Sequence, residues 1–270
     1  MDSEYRNLLS LLDDENEQSA CLAMAELLKR DESKLEPVLR KLQESSNLRL
    51  RRRIHQLQST ILLRRRRKSF SDNLSSCSLD LLEGLIQLHL LWFDNDSPES
   101  LRKQWGKLVI KAEKFQPSTL ESLAFFMQKT GLKAVNRDDF DPEHLCLGTV
   151  LDNSAGSDFM LCCIAVLLAA KCGIRLRITQ SAETDFILID DYENVLVPAN
   201  DWDYMPNDGT RYTFELWSVP MLLRYAAALL FTAAVSADSF RYIHTIGACL
   251  NGSSSPEGVA FLPYPYGSAK

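Results

Sequence analysis

Hydrophobic residues recur with a helical period over most of this 270-residue chain. Within residues 49–68, the spacing i, i+4, i+7 and i+11 brings four apolar residues onto one helical face: Leu50, Ile54, Leu57 and Ile61. Capping and stop signals predict further helices over 97–115, 117–131 and 160–171. A helical stretch is also predicted over 79–93, and one or two helices over 219–235 and 238–250. The segment 160–171 is apolar nearly all round, which is typical of a buried central helix.

Short strand-like segments follow that central helix. They are rich in β-branched and aromatic residues and cover 174–179, 185–190 and 194–199. Their connections are short, which favours antiparallel pairing. A helical lead-in, a buried helix and then antiparallel strands predict an α+β fold that is mainly helical.

The first 70 residues contain a weak internal repeat. Residues 8–28 align with residues 38–58 at an offset of 30, and several apolar positions coincide. Each unit is a helix, a polar turn and a second helix, which cannot bury its apolar face alone. We therefore interpret residues 1–70 as HEAT-like helical repeats, followed by a Ser-rich linker at 69–78.

The remaining chain is predicted to form two further parts. Residues 79–200 hold the central helix and the strands, and form the predicted core domain. Residues 201–270 are predicted to form C-terminal helices followed by an extended tail.

Charge is distributed unevenly along the chain. The net charge is −6, but residues 1–68 hold 15 Lys and Arg against 11 Asp and Glu. The basic side chains concentrate near the end of this region, with these members: Arg51, Arg52, Arg53, Arg64, Arg65, Arg66 and Arg67. This Arg-rich helix, residues 49–68, is a candidate surface for an acidic partner or for nucleic acid. A solvated helix face explains the same pattern.

Seven cysteines without an N-terminal secretory signal indicate reduced thiols, so we expect a cytoplasmic protein. No apolar run reaches the ~18–20 residues of a membrane span, so we expect no membrane association. The chain has neither a CxxC nor an HxxxH motif, so no metal or other cofactor is expected.

Several motifs in the middle of the chain occur in the order of a known family. They are LDLLEGLIQLHLL, DPEHLCLGTVL, GSDFML, AKCGI and ETDFILI, between residues 79 and about 190. Residues 79 to about 230 resemble the SirB-type branch of the transglutaminase-like superfamily. The resemblance implies a bacterial protein with a papain-like core, in which a buried helix packs on an antiparallel sheet.

The resemblance also implies positions for a catalytic triad. A Cys at the start of the buried helix would be the nucleophile, but Ser157, Asp158 and Met160 stand there. Asp185 takes the position of the His base, and an ionised carboxylate is a poor base for a thiol. The orienting Asp would fall near 197–198, where no acidic residue stands. We therefore interpret these positions as vestigial.

Cys162 and Cys163 lie one turn further into the same helix. As nucleophiles they would need an off-motif histidine, whereas buried cysteine usually packs as a small apolar residue. Our leading hypothesis is a non-catalytic transglutaminase-like protein that acts as a binding or regulatory module for another protein. The alternatives are a residual cysteine-dependent hydrolase or acyl-transferase, and nucleic-acid or acidic-partner binding through the Arg-rich helix.

Overall fold

A computed structural model of the chain describes residues 3–76, 79–181, 185–209 and 214–250. The described residues form eleven α-helices and two small β-sheets, with the sheets in the C-terminal half, so the fold is α+β and mainly helical. The chain divides into two compact units, Met1–Arg66 and Arg67–Lys270. The predicted extended tail after Leu250 lies outside the described residues, and the predicted three-part domain division stays a prediction.

The first unit is entirely helical. It contains α1 (Ser3–Leu11), α2 (Glu17–Leu27), α3 (Glu32–Leu42) and the first part of α4 (Leu48–Ser76). Asn16 caps α2 and Asp31 caps α3, since their side chains accept hydrogen bonds from first-turn backbone N–H groups. Ile54, Leu57 and Ile61 of the predicted apolar face are buried in this unit's core. The HEAT-like character of these helices stays a prediction.

Helix α4 is longer than the sequence predicts. The Ser-rich stretch expected to be a linker continues as helix to Ser76. Phe70 and Leu74, one turn apart, are both buried, and the Ser75 hydroxyl donates to the carbonyl of Ser71 at 2.9 Å. Buried apolar side chains and local hydroxyl bonding therefore outweigh the low helix propensity of serine.

The second unit contains the remaining helices. They are α5 (Leu81–Trp92), α6 (Pro98–Phe115), α7 (Leu120–Thr130), α8 (Leu147–Asn153), α9 (Asp158–Lys171), α10 (Val219–Ser236) and α11 (Phe240–Leu250). Ser97, Thr119 and Ser157 cap three of them through side-chain hydrogen bonds. The predicted helices are present, with ends shifted by a few residues.

A four-stranded antiparallel sheet follows α9. Its strands pair in chain order: β3 (Arg177–Gln180), β4 (Phe186–Ile189), β5 (Val195–Val197) and β6 (Asp203–Met205). Earlier, β1 (Lys133–Ala134) and β2 (Ala155–Gly156) form a short parallel pair directly before α9. The antiparallel prediction is confirmed. The sequence did not predict β6. This strand follows Trp202, which is buried and whose indole N–H donates to the Leu132 carbonyl at 2.7 Å.

Helix α9 is the buried centre of this unit. Nine of its residues are buried, and it packs on β3 and β4. An all-round apolar helix in this position matches its sequence pattern. Among the described helices, α10 also has the length and hydropathy of a membrane span, with a mean hydropathy of 1.6 over a segment that is 33% buried in the fold.

Candidate functional site

Ser157 stands at the N-terminal end of α9. Its backbone N–H donates to the His144 carbonyl at 3.1 Å, and its hydroxyl oxygen accepts from the Met160 N–H at 3.1 Å. The residue is only 6% exposed. Ser157 therefore acts as a helix cap here, because its hydroxyl oxygen satisfies a first-turn donor.

Asp158 connects α9 to the sheet. One carboxylate oxygen accepts from the Phe159 N–H at 2.7 Å, and the other accepts from the Phe186 N–H at 2.8 Å. Asp185 precedes Phe186, so the structure places the proposed base position beside the first turn of α9. The Asp185 backbone is held by Ser181, whose N–H donates to the Asp185 carbonyl at 2.8 Å.

Met160, Cys162 and Cys163 are completely buried, with no exposed surface. Burial raises the pKa of the Cys162 thiol well above its ordinary value, and Cys163 and Asp158 nearby raise it further. Burial also raises the pKa of the Cys163 thiol. Neither sulfur hydrogen-bonds to a histidine in the part of the chain that the structure describes. Both thiols stay protonated at neutral pH, whereas a nucleophilic cysteine needs its thiolate.

An aromatic cluster packs over the start of α9 and β4. Its members are Phe159, Phe186, Trp217 and Tyr225, and their rings lie 5.1–5.3 Å apart between centroids in five pairs. Phe159 and Phe186 are buried, and the other two are partly exposed. Apolar rings therefore occupy the region where the first turn of α9 meets the sheet.

The chain before α10 also covers the outer edge of β3. The Trp217 N–H donates to the Ile178 carbonyl at 3.0 Å, and the Thr179 hydroxyl donates to the Glu215 carbonyl at 2.8 Å. The sequence analysis missed this cluster and this edge contact, because they join residues from separate elements. The aromatic density of residues 202–217 was the only signal available.

Comparison with known proteins identifies the region that contains the first turn of α9 and the strands β3 to β5. Residues 99–199 match the family model of the transglutaminase-like superfamily. The chain contains a transglutaminase-like domain. The matched residues include α9 and the strands β3 to β5, together with Ser157, Asp158 and Asp185. No curated protein and no solved structure matches the chain.

Of the four histidines, His55 lies in α4, and the other three lie in the transglutaminase-like domain and its flanking helices. His144 Nδ1 accepts from the Asp141 N–H at 3.0 Å, within the turn before α8. His89 is buried in α5. His244 in α11 lies 3.5 Å from the Arg67 guanidinium, and burial together with Arg67 lowers the pKa of His244.

No metal-binding arrangement occurs within residues 3–76, 79–181, 185–209 and 214–250. In those residues, no group of three or more His, Cys, Asp or Glu side chains is placed to hold a metal ion. The expectation that the protein uses no cofactor stays a prediction.

Several arginines of the Arg-rich helix serve the fold. Arg53 is 7% exposed and donates to the carbonyls of Leu12 and Asp14 at 2.9 and 2.6 Å. Arg64 donates to the Leu28 carbonyl at 2.8 Å. These guanidinium groups satisfy carbonyls at the ends of helices α1 and α2 and in the turns that follow them.

The other arginines differ in exposure. Arg65 bonds to Glu32 and Glu36, each at 2.8 Å, and Arg66 is half-buried. Arg51 and Arg52 are exposed, and their side chains form no hydrogen bond or ion pair with another described residue. The seven-residue candidate surface stays a prediction, and Arg51 and Arg52 are the members whose exposed side chains are not engaged with described residues.

Proposed function

We propose that the transglutaminase-like domain is non-catalytic and that the protein acts as a binding or regulatory module in a bacterial cytoplasm. The observation that supports this is the first turn of α9, where Ser157 caps the helix and Asp158 ties it to β4. Acyl transfer by a cysteine enzyme needs a thiolate beside a histidine at such a position. The first turn of α9 contains no cysteine, and the aromatic cluster packs over this turn.

The competing hypothesis is a residual hydrolase or acyl-transferase that uses Cys162 or Cys163. It would require one of these thiols to reach solvent and to lose its proton near neutral pH. Burial opposes both, because it excludes reagents and raises the pKa of each thiol.

Alkylation by iodoacetamide at pH 7, followed by mass spectrometry, tests the proposal. Cys21 is exposed and provides an internal control that should react in the native protein. We expect Cys162 and Cys163 to react at least about 100-fold more slowly than Cys21, because their reaction requires local opening of the fold. Denaturant should remove the difference.

Two variants make the labelling result specific. Cys162→Ala keeps only Cys163 of the adjacent pair, and Cys163→Ala keeps only Cys162. The alkylation of each thiol is therefore measured separately. Rapid native alkylation of either thiol, with Cys21 as the reference, would contradict the proposal and favour the cysteine-dependent enzyme.

The binding half of the proposal concerns a protein partner with an acidic surface. Arg51 and Arg52 are exposed, adjacent and not engaged with the described residues. A surface with two such cations suits a carboxylate-rich protein patch. Nucleic acid would need contacts between its phosphates and more than two arginines. Arg53, Arg64 and Arg65 are less available for this, because they form hydrogen bonds within the fold.

A further inference from the structure

A polar groove lies between α6 and α8 of the transglutaminase-like domain, away from the first turn of α9. It consists of two adjoining cavities, one of about 350 Å³ and one of about 190 Å³. Gln104 and Asp152 line both cavities. Ser157, Asp158 and Asp185 line neither, so this α6–α8 groove is separate from the proposed vestigial site.

The junction of the two cavities contains an acceptor without a partner. Gln104 Nε2 donates to both carboxylate oxygens of Asp152, at 2.9 and 2.8 Å. A carboxylate only accepts hydrogen bonds, so it fixes the amide with its NH₂ group toward Asp152. Gln104 Oε1, at the other end of the amide, is buried and accepts no hydrogen bond from a described residue. A ligand N–H group would satisfy it.

The larger cavity is lined mainly by polar side chains, two of which are carboxylates. His89 is 2% exposed, and its Nδ1 accepts from the Gly148 N–H at 3.3 Å. The ring proton therefore resides on Nε2, which donates to Asp96 at 2.8 Å. Asp96 and Asp152 are the carboxylates of this lining, and the described lining residues include no Lys or Arg. Such a cavity favours a cationic group with several N–H donors.

The smaller cavity has the opposite charge on its α6 side. Lys107 and Lys111 lie one turn apart on α6 and line this cavity. Neither ammonium forms an ion pair or hydrogen bond with a residue that the structure describes. Two adjacent ammonium groups favour an anionic group on the ligand.

We propose that the α6–α8 groove binds a small zwitterion of the basic amino-acid class. Its cationic N–H group occupies the larger cavity, within reach of Asp96 and Gln104 Oε1, and its carboxylate lies beside Lys107 and Lys111. The volume of the larger cavity is at the lower end of the ~300–1,000 Å³ range of ligand pockets. This inference does not depend on whether the first turn of α9 is catalytic.

Titration of the full chain with L-arginine, followed by calorimetry, tests the proposal. L-arginine should bind with a dissociation constant below about 1 mM. Agmatine keeps the guanidinium group but lacks the carboxylate, and glutarate lacks the cation. Each should bind at least about tenfold more weakly than L-arginine, because each leaves the charged groups in one half of the groove without a partner.

Lys107→Gln combined with Lys111→Gln removes the cationic side of the groove. The double variant should bind L-arginine about tenfold more weakly, while its affinity for agmatine, a dication, should not fall. Lys103→Gln combined with Lys114→Gln is the matched control. It makes the same charge change on exposed residues of α6 that line neither cavity.

Gln104→Met tests the other half of the groove, because methionine keeps the size of glutamine and removes the acceptor. This variant should weaken both L-arginine and agmatine. Absence of any binding up to about 10 mM L-arginine would overturn the proposal. Equal losses in the two lysine double variants would overturn it as well, since binding would then reflect general charge attraction.

Discussion

Gly148 shows at the residue scale how one small residue holds a buried histidine. Its N–H donates to His89 Nδ1, and a Cβ atom at this position would lie 2.7 Å from His89 Cε1 and 2.6 Å from Leu101 Cδ2. Gly148→Ala should therefore lower the free energy of unfolding by about 1–3 kcal/mol, because the site is already filled. Urea unfolding followed by circular dichroism measures the change.

Gly106 provides the matched control for this substitution. It lies inside α6, and a Cβ atom there would meet nothing within 4 Å. Gly106→Ala should raise the free energy of unfolding by about 0.5–1 kcal/mol, since glycine in an open helical position costs conformational entropy. Equal effects of the two substitutions would show that His89 does not need the space at Gly148.

At the element scale, the start of α9 depends on the hydroxyl of Ser157. Ser157→Ala removes the acceptor for the Met160 N–H and should lower the free energy of unfolding by about 1 kcal/mol. Ser218→Ala is the control, because Ser218 stands at the same position of α10 but forms no side-chain capping bond. A shift of the urea midpoint that is the same for both variants would contradict the capping role.

The sequence predicted most elements because local signals define them. Ser97 and Ser157 cap α6 and α9 with their side-chain oxygens, and Gly131 adopts the left-handed backbone conformation that ends α7. Helix α4 was predicted too short, since its last turns depend on the burial of Phe70 rather than on local propensity. Strand β6 has only three residues and depends on pairing with β5, which no local pattern reveals.

At the scale of the whole molecule, the composition of the candidate sites depends on contacts distant in sequence. Phe159 meets Tyr225 in the aromatic cluster, and Gly148 bonds to His89 across 59 residues. The triad positions could be assigned by resemblance, because motif order is a property of the sequence. The rings that cover them, and the Gln104–Asp152 pair of the groove, arise only when separate helices pack.

Charge distribution over the whole chain leads to a prediction about nucleic acid. The net charge is −6, and Arg51 and Arg52 are exposed arginines of the Arg-rich helix whose side chains form no hydrogen bond or ion pair with another described residue. If DNA contacts these two residues alone, the affinity should fall only about tenfold between 50 and 200 mM salt, because about two phosphates are neutralised. Fluorescence anisotropy of a labelled oligonucleotide measures this dependence.

Charge reversal separates the surface from the overall charge. Arg51→Glu combined with Arg52→Glu should abolish the weak binding, whereas Arg6→Glu combined with Lys41→Glu, also exposed, makes the same charge change and should retain most of it. Tight binding at 200 mM salt would contradict the proposal of a protein partner. If the affinity falls about 10³-fold or more over the same salt range, six or more phosphates are contacted. Arginines engaged in the fold, such as Arg53 and Arg64, would then have to exchange their carbonyl partners for phosphate.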